Sequence, residues 1–477
     1  MSGSTNLNNP DLAPTSAAQR TWSTWHIAAL WIGMAVCVPT YTVAAGMIEA
    51  GMAWWQAVLT VALGNCIVLV PMMLNGHAGT RYGIPFPVLM RASFGTNGAN
   101  IPALARALVA CGWFGIQTWI GGAAIHQLLG AIGVIDLAAE AGRATAIGLT
   151  PWQALCFMVF WLVNVHFVWH GMHSIRWLEA AAAPFLIVAG LVLLGWAFYN
   201  AGPGTLSAGS KFATNAEFWA VFVPQLTAMV GFWATLSLNI PDFTRFAASQ
   251  RSQAVGQALG LVPTMTLFCF IGIAVTGATV HIFGRAIWDP VELVSKFGST
   301  TVILLSLLSL SVATLSTNIA ANVVSPANDF SNLAPRLISF RTGGLITAVL
   351  GVLMAPWYLY GNLSAYIFTW LIGYSALLGP IAGIMICDYH LLRRRQLNVA
   401  DLYDANGPFR GVNWRTVLAL LLAVAPSVPG FLNAATHQEL FAEGWNQLYD
   451  YAWFVGFFLG VLFYWLVRAG RALPAGR

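Results

Sequence analysis

The chain is a succession of apolar stretches, and each one is long enough to cross a lipid bilayer as a helix. The hydrocarbon core of a bilayer is about 30 Å thick and requires about 20 helical residues. The stretches centre approximately on residues 27–48, 53–75, 100–130, 152–169, 175–199, 217–240, 254–282, 299–324, 343–360, 363–387, 414–433 and 450–468. They predict an all-α polytopic membrane protein with 12 transmembrane helices.

The scarcity of charge leads to the same conclusion. Only 8% of the 477 residues are charged and 58% are hydrophobic, whereas about 25% of the residues of a soluble domain are charged. A chain of this composition cannot cover a globule of its size with polar surface, so lipid must be its solvent. An ordinary soluble enzyme is therefore excluded.

The basic residues predict the orientation of the spans. With an even number of spans, all but four of the 21 Lys and Arg residues fall on the side that carries both termini. The four exceptions are Arg143, Lys211, Arg285 and Lys296. By the positive-inside rule that side is the cytoplasm. We expect an integral protein of the bacterial inner membrane with both termini in the cytoplasm.

Two prolines indicate interrupted helices. Pro39 lies in the first span and Pro241 lies at the end of the sixth. In each case a small or polar residue stands two positions before the proline, and an aromatic residue stands two positions after it. Proline frees backbone carbonyls that lipid cannot satisfy but a water-filled or ion-filled cavity can. Interruptions in spans 1 and 6 are typical of an inverted repeat of five plus five helices. Two ordinary proline kinks in packed helices are the alternative.

On this interpretation the chain divides into six segments. They are a cytoplasmic tail (1–25), a first repeat with helices 1–5 (26–200), a second repeat with helices 6–10 (215–388), a cytoplasmic loop (389–413), helices 11 and 12 (414–468) and a second cytoplasmic tail (469–477).

The middle of the predicted spans contains hardly any charge. Glu179 and Asp242 fall near cytoplasmic ends, and the remaining acidic residues are assigned to loops or tails. A permanently charged cargo usually meets a counter-charge or a bound ion. The pattern therefore favours a cargo that is neutral but polar, such as a small heterocycle.

Span 3 carries a candidate binding face. Trp113 and Gln117 are four residues apart and share one side of the helix. An indole can stack on a flat ring while a side-chain amide offers one donor and one acceptor to its edge. Trp233 in span 6 could cover the second face of the ring. Because the chain has 21 Trp residues, an ordinary packing role for Trp113 is the alternative.

Span 8 carries a candidate cation face. Ala313, Ser316 and Thr317 stand at i, i+3 and i+4. Two hydroxyls, together with carbonyls freed by the break in span 1, are hard oxygen ligands that suit an alkali cation. Alternatively, the hydroxyls bond their own helix or a neighbouring helix. Asn322 lies about 140° from Thr317 on an ideal helix, so one cavity reaches both only if it wraps around the helix.

Four motifs occur in order along the chain. The longest is Asn-Gly-His-Ala-Gly-Thr-Arg-Tyr-Gly-Ile-Pro-Phe-Pro-Val at 75–88, continuing through Arg91-Ala92-Ser93-Phe94-Gly95, and the others are the segments 112–119, 239–246 and 316–326. They resemble the nucleobase:cation symporter-1 family, and the likeness covers about residues 20–470 in order. The family includes bacterial hydantoin, allantoin, cytosine and uracil permeases and plant plastid nucleobase carriers.

The resemblance implies a LeuT-like fold of five plus five helices with two additional C-terminal helices and alternating access around a central site. It also implies roles for single residues. Trp113 and Trp233 match the stacking pair of the family, and Gln117 and Asn322 match its hydrogen-bonding amides.

The resemblance further implies a cation site, with sodium as the possible ion. Its ligands would be the carbonyls of Gly33, Val36 and Ala313 and the hydroxyls of Ser316 and Thr317. Cys37 stands where members of the family place Gln or Asn. A pocket with one polar contact fewer favours uracil over allantoin, whose extended ureido arm needs more partners. Hydantoin is a further possible substrate.

We therefore expect a cation-coupled symporter of a neutral planar nucleobase or related cyclic amide, with sodium or a proton as the co-transported cation and with no other cofactor. We expect no nucleic-acid partner. A passive channel for small neutral solutes is the main alternative. A membrane-embedded enzyme is disfavoured, because the sequence offers no nucleophile and base pair, metal-ligand group or phosphate loop at membrane depth.

Overall fold

The computed structural model describes residues 7, 9–140, 142–170, 172–206, 209–297, 299–360 and 365–468. The side chains of residues 171–183, which include Glu179, lie outside the described part of the chain. The predicted tail 469–477 and the first six residues lie outside the described residues. Within the described ranges the chain is helical, and its β-type pairing is one isolated bridge between Trp22 and Ala247.

The first half of the chain forms eight α-helices. They are α1 (Thr24–Ala35), α2 (Val38–Glu49), α3 (Trp54–Tyr82), α4 (Phe86–Phe94), α5 (Asn100–Ala131), α6 (Leu137–Glu140), α7 (Pro151–His170) and α8 (Met172–Ala201).

The second half begins with the helices that face α1–α5. They are α9 (Asn215–Phe232), α10 (Ala234–Asn239), α11 (Pro241–Thr244), α12 (Gln250–Phe283), α13 (Pro290–Ser295), α14 (Thr300–Asn322), α15 (Val324–Leu333), α16 (Phe340–Leu353) and α17 (Pro356–Leu359). A π-helical segment (Ala365–Leu371) leads into α18 (Ile372–Ile386). The remaining helices are α19 (Val399–Leu402), α20 (Trp414–Val424), α21 (Val428–Thr436), α22 (Glu443–Tyr449) and α23 (Ala452–Arg468).

Each predicted span overlaps one helix or one interrupted pair of helices. Among the described residues, seven helices are long and apolar enough to cross a membrane, and the number is nine if each sharply bent pair forms one span. The bent pairs are α1 with α2, at 60°, and α22 with α23, at 78°. The number of twelve spans and the inverted repeat stay predictions.

The first span is interrupted where the sequence predicts it. Helix α1 ends at Ala35, and Val36 and Cys37 leave helical geometry, with Cys37 fully extended at φ −145° and ψ 160°. Pro39 follows at the second position of α2. A proline there removes no helical hydrogen bond, because the first N–H groups of a helix have no intrahelical acceptor.

The sixth span is interrupted at a different place from the prediction. The break is at Trp233, which separates α9 from α10 with φ −105° and ψ 11°. Pro241 comes eight residues later and begins α11, so its use as the marker of the break was wrong. Proline suits the first position of a helix and starts α11 there.

A buried ion pair corrects a second expectation. Asp329 was assigned to a loop, but it lies in α15, and its carboxylate is 3.4 Å from the guanidinium of Arg106 in α5. Both side chains are fully buried. The polar run at 325–332 suggests a loop by composition, yet packing against α5 and α16 supplies the burial that makes it a helix. Arg106 lies in the second turn of α5, and Asp329 lies in the middle of the ten-residue α15.

The amino-terminal segment packs across one face of the bundle, which we call the tail face. Its hydrogen bonds reach four loops that the charge pattern places on a single side. The bonds are Asn9 Nδ2 to the Pro335 carbonyl (2.9 Å), Tyr403 OH to the Leu12 carbonyl (2.6 Å), Thr15 N to the Gly83 carbonyl (2.9 Å) and Trp22 N to the Phe246 carbonyl (2.9 Å). These four loops therefore lie on one face of the bundle, as expected if successive loops alternate between the two sides of the membrane.

Close contact between α5 and α16 depends on glycine. A Cβ atom on Gly115 would lie 2.4 Å from the carbonyl oxygen of Gly351, which is backbone and cannot move aside cheaply. Gly115 therefore admits a close approach of α16 to α5.

We predict that Gly115→Ala lowers the stability of the folded protein by about 1–3 kcal/mol, because the added methyl group overpacks the crossing. The measurement is the melting temperature of the protein purified in detergent. Gly195→Ala is the matched control, since a Cβ on Gly195 in α8 meets no atom within 4 Å. Equal melting temperatures for the two variants would contradict the argument.

Candidate substrate and cation site

The two helix breaks meet at a small cavity in the middle of the bundle. The space inside it that a water-sized sphere can occupy is about 20 Å³, which is room for one water molecule. This space is smaller than a heterocycle. The lining residues are Met34, Cys37, Trp113, Gln117, Phe232, Trp233, Thr235, Leu236, Thr317, Ala321 and Asn322.

All five residues that the sequence predicts for substrate binding line this cavity. Each is nearly inaccessible, with exposures of 6% for Trp113, 2% for Gln117, 3% for Trp233, 6% for Asn322 and 6% for Cys37. Neither indole faces the lipid. The structure thus brings together side chains from α5, α14 and both helix breaks.

Aromatic residues of the tenth span fix the plane of the Trp113 ring. Tyr366, Trp370 and Tyr374 contact it with centroid distances of 6.0, 6.2 and 6.5 Å, each at a steep angle. Edge-to-face contacts of this kind restrict the rotation of a ring. Sequence analysis missed these three residues, although their spacing at i, i+4 and i+8 was a usable signal.

Trp233 lies at the junction of α9 and α10. It contacts Trp31 edge-on at 5.1 Å and Phe232 at 5.0 Å. Phe232 also contacts Trp113 at 5.2 Å, so one phenyl ring lies against both predicted stacking indoles. Sequence analysis overlooked Phe232, and its place beside Trp233 was the only signal for it.

Three polar atoms of the cavity residues have no hydrogen-bond partner among the described residues. They are Nε1 of Trp113, Nε1 of Trp233 and Oε1 of Gln117. A buried polar group without a partner costs about 1–3 kcal/mol. A ligand with both donors and acceptors would satisfy them, whereas a purely apolar ligand would not.

A chain of amides orients Asn322. Its Nδ2 donates to Oδ1 of Asn318 at 3.0 Å, and Asn318 Nδ2 donates in turn to Oδ1 of Asn164 at 3.0 Å and to the Phe114 carbonyl at 3.2 Å. With its nitrogen engaged in this way, Asn322 keeps its oxygen as an acceptor. Helix α14 ends at Asn322, and the cavity wraps around that end to reach both Asn322 and Thr317.

The predicted cation ligands meet where α14 crosses the first break. Thr317 Oγ1 donates to the Gly33 carbonyl at 3.1 Å and lies 3.5 Å from the Val36 carbonyl. Ser316 is fully buried beside Thr317, and Ala313 packs with Val36 in one apolar cluster. Neutral oxygens of this kind fit an alkali cation. In the described part of the chain, no group of three or more His, Cys, Asp or Glu side chains could hold a metal ion.

The sequence is similar to a defined set of membrane transporters. The family model described as "Permease for cytosine/purines, uracil, thiamine, allantoin" matches residues 14–456. The chain is 47% identical to the purine-uracil permease NCS1 of Arabidopsis thaliana, with 98% of this chain and 78% of that protein covered. It is 40% identical to the allantoin permease of Bacillus subtilis (strain 168), with 97% and 93% covered.

The fold is also similar to that of solved transporters. Mhp1, a nucleobase-cation-symport-1 family transporter solved in a closed conformation with bromovinylhydantoin bound, matches with a TM-score of 0.78 and 28% identity, over 97% of this chain and 95% of that chain. A Na⁺-coupled sialic acid symporter, 11% identical with a TM-score of 0.61 over 96% and 91% of the two chains, shares the fold alone.

These relatives are transporters rather than enzymes, and the match extends over most of the chain. Together with the small cavity between two interrupted helices, it shows that this chain belongs to the nucleobase:cation symporter-1 family of secondary active transporters.

Proposed function

We propose that the protein carries a neutral planar nucleobase or related cyclic amide in symport with sodium. Uracil is the first candidate for this substrate. One observation carries this proposal. Two indole N–H groups and one amide oxygen, which have no partner in the described part of the chain, belong to side chains that line a single cavity between the helix breaks. A flat ring bearing both N–H and C=O groups is the ligand class that satisfies such a set.

The proposed pose follows from the directions of the polar groups. The ring lies against the Trp113 indole, which the tenth span holds in place. Gln117 contributes a donor and an acceptor, and Asn322 contributes its free oxygen. Trp233 covers the other face after the cavity widens, because the present space admits only one water molecule.

Coupling to the cation follows from the shared break. The carbonyls of Gly33 and Val36 approach Thr317, while Cys37, the next residue of the same break, lines the substrate cavity. A cation bound to those carbonyls would order the break and thereby the cavity wall. Such coupling is reciprocal and typically amounts to 1–3 kcal/mol, so each ligand would raise the affinity for the other by about 5–150-fold.

Allantoin is the second candidate, because the chain is 40% identical to an allantoin permease over almost its whole length. Cys37 decides between the two in our proposal. A thiol satisfies fewer polar groups than the Gln or Asn side chain that it replaces. The ureido arm of allantoin would therefore lose a partner that uracil does not need.

We predict that Trp113→Ala and Gln117→Ala each reduce uracil uptake about tenfold, because they remove the stacking plane and an edge contact. The measurement is uptake of radiolabelled uracil into proteoliposomes with an inward sodium gradient. Gln127→Ala, on the same helix and outside the cavity lining, is the control and should transport normally. Normal uptake of uracil and allantoin by a folded Trp113→Ala protein would show that Trp113 is not part of the substrate site.

We predict that Ser316→Ala combined with Thr317→Ala weakens the sodium dependence of uracil binding at least tenfold. Two oxygen ligands would be lost, while the aromatic cavity walls remain. The measurement is the half-saturating sodium concentration in equilibrium binding. Ser311→Ala is the control, since its hydroxyl bonds the Leu307 carbonyl within α14. If a pH gradient drives uptake by the wild-type protein and sodium has no effect, the coupling ion is a proton rather than sodium.

We predict that Cys37→Asn shifts the preference of the transporter from uracil towards allantoin by at least fivefold, because the amide restores a polar contact on that side of the cavity. The measurement is the concentration of unlabelled allantoin that halves the uptake of labelled uracil. Cys269→Ala, a buried cysteine outside the cavity lining, controls for the loss of a thiol. An unchanged preference would show that Cys37 does not select the ring.

A further inference from the structure

A second and larger cavity opens at the tail face. Its open volume is about 370 Å³, which is comparable to pockets that hold small molecules and far larger than the 20 Å³ of the central cavity. Its lining residues are Asp11, Asp242, Arg245, Phe246, Val324, Asn328, Ser339, Phe340 and Arg341.

The two cavities follow each other along the same two stretches of chain, which are α10–α11 and α14–α15. Leu236 in α10 lines the central cavity, and Asp242 in α11 lines the second. On the facing side Asn322 lines the central cavity, and Asn328 in α15 lines the second. Six residues, or about one and two-thirds helical turns, separate the two positions on each stretch of chain.

A hydrogen bond closes the turn between the cavities. Asn239 Nδ2 donates to Oγ of Ser325, which joins the end of α10 to the start of α15. Both residues are fully buried. The contact therefore lies between the residues that line the central cavity and those that line the second cavity.

The second cavity offers the same kinds of group as the central one. Phe246 and Phe340 supply aromatic surface, Asn328 supplies an amide, and the Arg245 guanidinium lies 4.9 Å from the centre of the Phe246 ring. Asn328 Oδ1, Arg245 Nε and Asp242 Oδ2 are buried and have no hydrogen-bond partner among the described residues. Donors, acceptors and ring faces together suit a flat cyclic amide.

The charges that line the cavity balance. Asp11 and Asp242 face Arg245 and Arg341, so an anion such as phosphate meets two carboxylates and a cation meets two guanidinium groups. A neutral polar ligand gains contacts with these groups without adding net charge. The lining therefore favours the same class of molecule that the central cavity favours.

The amino-terminal segment covers the cavity. Asp11 Oδ2 accepts from the Phe340 N–H at 3.0 Å, and the Asp11 carbonyl accepts from Arg245 Nη1 at 2.9 Å. The adjacent Leu12 carbonyl accepts from the Tyr403 hydroxyl. Burial raises the pKa of Tyr403 to about 12, so this hydroxyl keeps its proton at physiological pH. A ring in the second cavity is thus held under the segment until the segment moves.

We propose that this cavity is a second, weaker binding station for the transported ring, placed between the Asn239–Ser325 contact and the tail face. The proposal rests on the proposed function, because its ligand is the same neutral cyclic amide. It adds to that function a second binding site beyond the central one, where Asn328 and Arg245 hold the ring.

Equilibrium dialysis of the purified full-length protein against radiolabelled uracil and, separately, allantoin tests the proposal, with ligand raised to millimolar concentration. We expect wild-type protein to bind two molecules per chain in two phases. Trp113→Ala should lose the tight phase and keep the weak one. Asn328→Leu should keep the tight phase and raise the dissociation constant of the weak phase at least tenfold.

Two further variants keep the test decisive. Ser331→Ala is the matched control on α15, because its hydroxyl bonds only the Ala327 carbonyl of its own helix, and it should show both phases. If Asn328→Leu does not fold, Arg341→Gln at the exposed rim replaces it, with the same expected weakening of the second phase.

The possible failures can be told apart. One molecule bound per chain, lost completely in folded Trp113→Ala protein, overturns the second station and leaves the proposed function standing. A weak phase that neither Asn328→Leu nor Arg341→Gln changes also overturns it. Wild-type protein that binds neither ring at any concentration overturns the proposed function as well.

Discussion

The structure depends on one constraint, which is that a backbone carbonyl within a bilayer must find a partner inside the protein. A helix break exposes such carbonyls, so the chain can interrupt a span only where another element supplies a donor or an ion. Thr317 supplies the donor to Gly33 at the first break. Because α14 must then lie against that break, the positions of the cavity walls follow from the same contact.

The second break obeys the constraint in a different way. Only one residue, Trp233, leaves helical geometry there, so few backbone groups are freed. Close packing becomes possible because Gly231, two residues earlier, has no side chain: a Cβ at that position would lie 2.1 Å from the Ser375 hydroxyl oxygen. The tenth span thereby approaches the break and brings its aromatic residues to the cavity.

The sequence predicted the helical class well, because that class depends on local signals. Five of the eleven residues that line the central cavity were also named as substrate contacts, with Asn322 and Cys37 coming from the family resemblance. Runs of apolar residues define helices in a membrane, and the spacing of Trp113 and Gln117 placed both side chains on one wall. Prediction failed where the signal was not local. Pro241 resembles a breaker, but its effect depends on whether it falls within a helix or begins one. Asp329 looked like a loop residue, because the guanidinium that neutralises it is 223 positions away in the chain.

Four aromatic rings form a continuous series from α1 to α5: Trp31 contacts Trp233, Trp233 contacts Phe232, and Phe232 contacts Trp113. Trp31 stands only two residues before Gly33, whose carbonyl bonds Thr317. A flat molecule pressed against Trp113 has to push on this row, and close-packed rings transmit displacement rather than absorb it. Filling of the pocket is therefore transmitted sterically to the carbonyls of the first break, in addition to any effect that passes along the backbone.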